Sequence, residues 1–323
     1  KMSMVIAQNG PGITGLVTPI KTAYWNHTPL LLVTPQAANK TMGQGGFQEV
    51  EQMNLFKDMV CYQEEVRDPS RMAEVLNRVI EKAFRGSAPA QINVPRDYWT
   101  QVIDIELPPI VRFERQGGGK EAIDRAAKYL SDAKFPVILS GAGVVIGNAI
   151  EETKKLAEKL DSPVCSGYQH NDSFPGSHPL AVGPLGYNGS KAAMELISKA
   201  DVVLALGTRL NPFSTLPGYG IDYWPKNASI IQVDMNPDRI GLTKKVSVGI
   251  SGDAKLVSQQ LLSKLSSDAG NNGREERKNL IHQTKSAWLQ TLTSLDHEED
   301  DPGTVWNKEA RERDKDRMSP RQA

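Results

Sequence analysis

The sequence is poor in several things, and each shortage excludes a class of function. Only two cysteines, Cys61 and Cys165, occur in 323 residues. That is too few for a disulfide framework and points to a reducing compartment, the cytoplasm. There is no net charge, 38 Lys+Arg standing against 38 Asp+Glu, so the basic excess of an electrostatic nucleic-acid binder is missing. No apolar run approaches the roughly 18 residues of a membrane span, so no membrane role is expected. No signal-peptide pattern opens the chain. Metal and nucleophile motifs (H-E-x-x-H, C-x-x-C, G-x-S-x-G) are also missing, and the five histidines are scattered. No metal ligands are expected.

What is present is a recurring order: a short apolar run, a Gly/Pro/Asn turn, then apolar residues at helical spacing. With a length sufficient for about two domains, this predicts an α/β fold of parallel sheets wrapped by helices. Strands are expected at 4–7, 30–34, 58–63, 90–95, 136–140, 162–165, 201–207, 230–234 and 246–249. Helices are expected over 13–27, 71–85, 121–130, 149–160, 191–199 and 253–265. The wholly apolar centre of Asp201-Val202-Val203-Leu204-Ala205-Leu206-Gly207 marks a strand buried on both faces. Residues 104–119 read as a linker, stiffened by Pro108-Pro109 and loosened by Gly117-Gly118-Gly119. The expected divisions are therefore 1–103, the linker 104–119, 120–266, and a charged segment over 267–323. That last segment reads as a solvated tail, or as a connection that docks through Trp288 and Trp306. The abrupt strand at Met4 and the charged end suggest an internal piece of something longer.

Several strand ends carry candidate chemistry. Asn9-Gly10-Pro11-Gly12 joins a strand to a helix, where glycine permits close ligand approach and free N–H groups favour anions. The same residues suit a purely structural turn. The loop Thr41 to Glu49 offers an apolar face in Phe47 and an uncharged amide in Gln48, which can orient a polar substrate. It also reads as a plain surface loop. Ser140-Gly141-Ala142-Gly143 is a shortened dinucleotide turn, with Ile146 where the third glycine belongs. Gly207, Arg209 and Asp234 end other strands, on the side where open α/β sheets hold ligands. Together they suit a nucleotide, or are simply well-made turns. Residues 166–189, with His170 and His178, read as a loop able to meet a substrate.

Taken together, four strings carry a resemblance: Ala7-Gln8-Asn9-Gly10-Pro11-Gly12, Thr28-Pro29-Leu30-Leu31-Leu32-Val33-Thr34, Gly46-Phe47-Gln48-Glu49, and Ala88-Pro89-Ala90-Gln91-Ile92-Asn93-Val94-Pro95-Arg96-Asp97. They resemble the thiamine-diphosphate enzymes of the acetolactate-synthase type, in the second half of the pyrimidine-binding domain. Residues 136–143, 201–209, 230–237 and 251–253 are similar to the Rossmann-like central domain of those enzymes. Gln8-Asn9 before the Gly-Pro-Gly, Ala23-Tyr24-Trp25 and residues 167–175 resemble the sulfoacetaldehyde acetyltransferase branch.

The resemblance implies thiamine diphosphate and Mg²⁺ as cofactors. It implies conversion of sulfoacetaldehyde and phosphate to acetyl phosphate and sulfite, in a homodimer or homotetramer with shared active sites. Asn9, Gly10, Pro11 and Gly12 would then lie beside the aminopyrimidine, with Phe47 and Gln48 facing the thiazolium. Gly141, Gly143, Gly207, Arg209 and Asp234 stand where some relatives hold FAD or ADP. Such enzymes also use a glutamate before the Gly-Pro-Gly strand and a Gly-Asp-Gly…Asn motif for Mg²⁺ and the diphosphate. Neither is in this sequence, so the chain alone is expected to be inactive. Two competing readings are an acetolactate-synthase-type 2-oxoacid lyase and a non-catalytic nucleotide-binding or assembly module.

Overall fold

A computed structural model describes residues 2–109 and 114–295. It divides the chain into two units, residues 1–113 and 114–323, each built on its own parallel sheet.

The first sheet holds β1 (Ser3–Ile6), β2 (Leu30–Gln36), β3 (Tyr62–Glu65) and β4 (Pro89–Pro95) in the order β1-β2-β4-β3. Its helices are α1 (Pro11–Thr14), α2 (Val17–Trp25), α3 (Gln52–Phe56) and α4 (Met72–Gly86). Side chains alternate across a strand, so the two central strands supply two cores. Leu31, Val33, Ala90, Ile92 and Val94 pack on Val75, Val79 and Ala83 of α4. Leu32 points the other way, among Ile13, Ile20, Phe56 and Val60. Burial on both faces explains why β2 and β4 read as unbroken apolar runs.

The helix expected over 13–27 is two helices. Gly15 and Leu16 interrupt it, their N–H groups bonding back to the Pro11 and Ile13 carbonyls. The second helix restarts with Pro19 in its first turn, where no intrahelical donor is needed. The strand expected at 58–63 lies at Tyr62–Glu65.

The second unit contains α5 (Lys120–Asp132), β5 (Pro136–Ser140), α6 (Ala142–Ile146), α7 (Ile150–Leu160), β6 (Val164–Ser166), β7 (Ala181–Pro184) and α8 (Lys191–Ile197). It continues through β8 (Val202–Leu206), β9 (Ser229–Asp234), β10 (Val248–Ser251), α9 (Ala254–Lys264) and α10 (Arg274–Leu295). The strands are all parallel, in the order β10-β9-β8-β5-β6-β7. The winding therefore reverses between β5 and β8. One face, with Ile138, Leu204 and Ile231, packs against α5, α7 and α9. The other, with Val137, Leu139 and Val203, packs against α8 and Ile281 of α10.

Two regions differ from the sequence reading. The stretch 166–189 is not all loop: it includes β7, an edge strand whose pairing with β6 shifts register at Val164/Cys165. Its many Gly, Pro and Ser residues reflect the tight turns around so short a strand. Within 267–295, where composition suggests a charged tail, residues 274–295 form α10. The remainder of that charged segment, with Trp306, lies outside the described residues.

What anchors α10 is a charged residue. Arg277 is 0% exposed. Its guanidinium donates to the carbonyls of Asp161 (2.9 Å), Asn272 (2.8 Å), Leu160 (2.9 Å), Lys134 and Gly270. Five donors thus meet five backbone acceptors. Leu160 and Asp161 end α7, where orphaned carbonyls and the negative pole of the helix welcome a cation. Burial pushes the Arg277 pKa down, while Asp161 and Asp201 nearby push it back up.

Replacing Arg277 by Ala leaves several buried carbonyls without donors, at about 1–3 kcal/mol each. We expect R277A to lower the stability of the second unit by at least about 3 kcal/mol in urea unfolding. R277K, with three donors, should recover only part of it.

In the first unit Arg78 of α4 bridges Glu64 of β3 (2.9 Å) and Glu74 (2.8 Å), and Arg71 also pairs with Glu74 at 2.9 Å. Hydrogen bonds from Arg71 and Arg78 hold the Glu74 carboxyl down to about 2. A depressed carboxylate stabilises the fold above its ordinary pKa, and that contribution disappears as pH falls through the folded value. Stability of the first unit should therefore decline from about pH 5 toward pH 2, and R78M should flatten that part of a melting-temperature profile.

Candidate active site

The first candidate cluster sits at the carboxyl ends of β1 and β2. The turn after β1 places Gly10 at φ +70°, ahead of Pro11 at the start of α1. The loop after β2 runs toward it and packs Gln48 against that glycine. A Cβ on Gly10 would stand 2.8 Å from both the Cβ and the carbonyl oxygen of Gln48. Only glycine fits, on both steric and dihedral grounds. Gly12 is similarly close to the strand end, its notional Cβ 3.2 Å from the Ala7 Cβ.

Amides lock the two segments together. Gln8 Nε2 donates to Gln48 Oε1 at 2.8 Å, and Asn9 Nδ2 donates to the Gln48 carbonyl at 3.1 Å. Gln48 itself is left-handed at φ +63°. Phe47, next to it, is 91% exposed. The sequence-based candidates Asn9, Gly10, Pro11, Gly12, Phe47 and Gln48 are therefore brought into one cluster. It offers an aromatic face and neutral amides, suited to an uncharged heteroaromatic ring rather than a bare anion.

Gln8, Gln36, Glu49 and Gln52 also shape this site, and composition alone did not single them out as functional. The signal was a density of amides around one glycine-rich loop. Beneath it runs a buried relay. Gln63 donates to Gln91 (2.8 Å), Gln91 to Thr34 (2.9 Å), Thr34 to Asn93 (2.7 Å) and Asn93 to Glu65 (2.7 Å). Buried polar groups are tolerable there because each finds a partner.

The second cluster lies where the winding reverses, between β5 and β8, the place where such sheets bind ligands. Gly141, Gly143 and Gly207 meet there. The Gly141 N–H donates to the Leu206 carbonyl (3.1 Å) and the Gly143 N–H to the Gly207 carbonyl (2.8 Å). A Cβ on Gly143 would fall 2.6 Å from the Gly207 Cα. These two N–H groups are thus used within the fold. Asp234, buried at the end of β9, has its pKa raised by burial, against the pull of the Asn236 N–H, Arg239 and Arg209. Burial and the neighbouring Arg239 lower the pKa of Arg209.

Lys21 donates to the Asp58 carbonyl at 2.9 Å and lies over the Tyr24 ring. His178 pairs with Glu158 (3.2 Å), and His170 lies 3.7 Å from Asp172. Among the described residues no group of three or more His, Cys, Asp or Glu could hold a metal ion. Among them, too, no helix is long and apolar enough to cross a membrane.

Comparison with known proteins identifies the family of both units. Residues 1–55 match the thiamine pyrophosphate enzyme N-terminal TPP binding domain, and residues 123–261 match the thiamine pyrophosphate enzyme central domain. The chain belongs to the thiamine pyrophosphate enzymes. Within them it is similar to sulfoacetaldehyde acetyltransferases. It is 77% identical over 323 residues to that of Roseovarius nubinhibens and 67% identical over 323 residues to that of Rhodobacter capsulatus. Those alignments cover 100% of this chain in each case, and 54% and 55% of the relatives. More distantly, it is 30% identical over 267 residues to the acetolactate synthase large subunit of Corynebacterium glutamicum, covering 81% of this chain and 42% of the relative. The chain spans about half the length of the curated relatives it matches.

The Gly10–Gln48 contact gives a direct test. G10A adds a Cβ where 2.8 Å is available and forces a side-chain-bearing residue to a left-handed φ. The dihedral alone costs about 1–2 kcal/mol. We expect a lower melting temperature for the first unit, and faster amide exchange over residues 41–49 than in the wild-type chain.

Proposed function

We propose that this chain forms one wall of a thiamine-diphosphate site in an acetyltransferase. The reaction takes sulfoacetaldehyde and phosphate to acetyl phosphate and sulfite. The observation that carries the reading is identity at 77% with a sulfoacetaldehyde acetyltransferase along all 323 residues.

What supports a fit to the base end of the cofactor is the chemistry of the cluster: an exposed Phe47 ring beside the neutral amides of Gln8, Asn9 and Gln48. When bound, thiamine diphosphate supplies a carbon nucleophile for the aldehyde. Asn9 and the Gly10–Gly12 turn would flank the aminopyrimidine. Phe47 would cover the reacting centre and keep water from it. The Gln48 side chain, held by Gln8, would offer its remaining N–H groups to the substrate oxygen without introducing a charge.

Mg²⁺ and the diphosphate need ligands this cluster does not carry. We assign them to other residues of the assembled enzyme, a cytoplasmic homodimer or homotetramer. FAD and ADP are not part of the proposal.

The test is an assay of the full-length enzyme containing this chain, with thiamine diphosphate, Mg²⁺ and phosphate. Sulfite and acetyl phosphate should form from sulfoacetaldehyde, and Q48A should lower the turnover by about 10²-fold. Acetolactate from pyruvate, with no sulfite released from sulfoacetaldehyde, would overturn the proposal in favour of a lyase of the acetolactate-synthase type.

A further inference from the structure

The loop between β2 and α3 is held at its base by two glutamine amides. Gln52 donates to the Pro35 carbonyl at 2.7 Å, and Gln36 to the Val50 carbonyl at 3.4 Å. Beyond it, Gln48 meets Gly10, Gln8 and Asn9. Phe47 is 91% exposed there, so its own burial does not hold it in place. The tip is also wound unusually, with Gly43 at φ +81°, Gly45 at +71° and Gln48 at +63°. A left-handed path of this kind can converge backbone N–H groups on one acceptor.

Glu49 supplies it. Its Oε1 accepts from the Gly43 N–H at 2.6 Å and its Oε2 from the Gly46 N–H at 3.2 Å. Its own N–H donates to the Gly46 carbonyl at 3.1 Å. We propose that Glu49 is a positioning residue: its carboxylate clasps the 43–46 turn and so presents Phe47 and Gln48 to the substrate and cofactor. What Phe47 and Gln48 then touch rests on the function proposed above; the clasp itself does not.

The chemistry selects glutamate narrowly. Two convergent N–H groups need two acceptor oxygens, and a carboxylate has them. Glutamine offers one oxygen and would turn an NH₂ toward the second donor. Aspartate keeps both oxygens but is one methylene too short to reach Gly43. The clasp also acts at a distance. It fixes the backbone on one side of Gln48, and the other side of that residue meets Gln8 and Asn9.

The experiment is amide NMR on the complete 323-residue chain, wild type against E49Q, E49D and E49A. In E49A the Gly43 and Gly46 amides should exchange about tenfold faster or more, as expected for loss of a charge-assisted hydrogen bond. E49Q should release one of the two, and E49D the Gly43 amide. The decisive signal is the Gln8 side-chain amide, which no atom of residue 49 contacts but which bonds to Gln48. In E49A it should move toward the position of a free glutamine. Unchanged exchange at both glycines in E49A overturns the clasp. Freed glycines with an unmoved Gln8 signal overturn the positioning role and leave Glu49 structural only. If E49A lowers the melting temperature of the first unit, the near-isosteric E49Q carries the same comparison. Neither readout involves thiamine diphosphate or sulfite, so failure here is separate from failure of the proposed activity.

Discussion

The structure depends on close backbone approach between the turns that end neighbouring strands. In the first unit the turn after β1 meets the loop after β2 at Gly10 and Gln48, with no room for a Cβ. In the second the turns after β5 and β8 meet at Gly143 and Gly207, where the notional Cβ of Gly143 would sit 2.6 Å from the opposing Cα. Parallel strands stand about 4.8 Å apart, so their end turns compete for one narrow space. Glycine resolves that competition by removing the side chain and allowing the left-handed path. The consequences differ. In the first unit the contact leaves an aromatic ring and several amides facing outward. In the second it uses the donors internally and yields a sealed joint.

Polar groups make the rest of each unit specific. The relay from Gln63 to Glu65 crosses β3, β4 and β2 under the first cluster. Apolar side chains at those positions would pack as well, but would not dictate the register of three strands at once, since every member needs the next. In the second unit Arg277 does the equivalent for α10. That helix buries little apolar surface, and Ile281 is its one fully buried hydrophobic contact among the described residues. The guanidinium ties it to the end of α7 and to the loop before β5 through backbone carbonyls.

Much of this was legible in the sequence. The parallel α/β class followed from apolar runs separated by helical spacing, and most strands and helices lie within a few residues of their expected places. The misses share a cause. Helix 13–27 splits because Gly15 and Pro19 act together, each tolerable alone in a helical pattern. The strand β7 is too short to show a period against its Gly and Pro neighbours. Helix α10 was obscured by charge: its one buried arginine reads as solvent-facing when only composition is weighed. A stripe of Arg277, Ile281, Lys285 and Trp288 at helical spacing was the available clue.

The sequence by itself determined the class of fold, the family and the residue types of the candidate site, because these reside in local patterns and spaced motifs. It did not determine which glycine turns remain open. Gly10-Pro11-Gly12 and Gly141-Ala142-Gly143 look alike as strings. Only the tertiary structure decided that the first borders an exposed cluster and that the second packs against Gly207, which takes up the Gly143 N–H. The physical reason is that a backbone N–H is available or spent according to the carbonyl placed opposite it. That carbonyl comes from a strand 64 residues away, Gly143 to Gly207, through a contact no local pattern encodes.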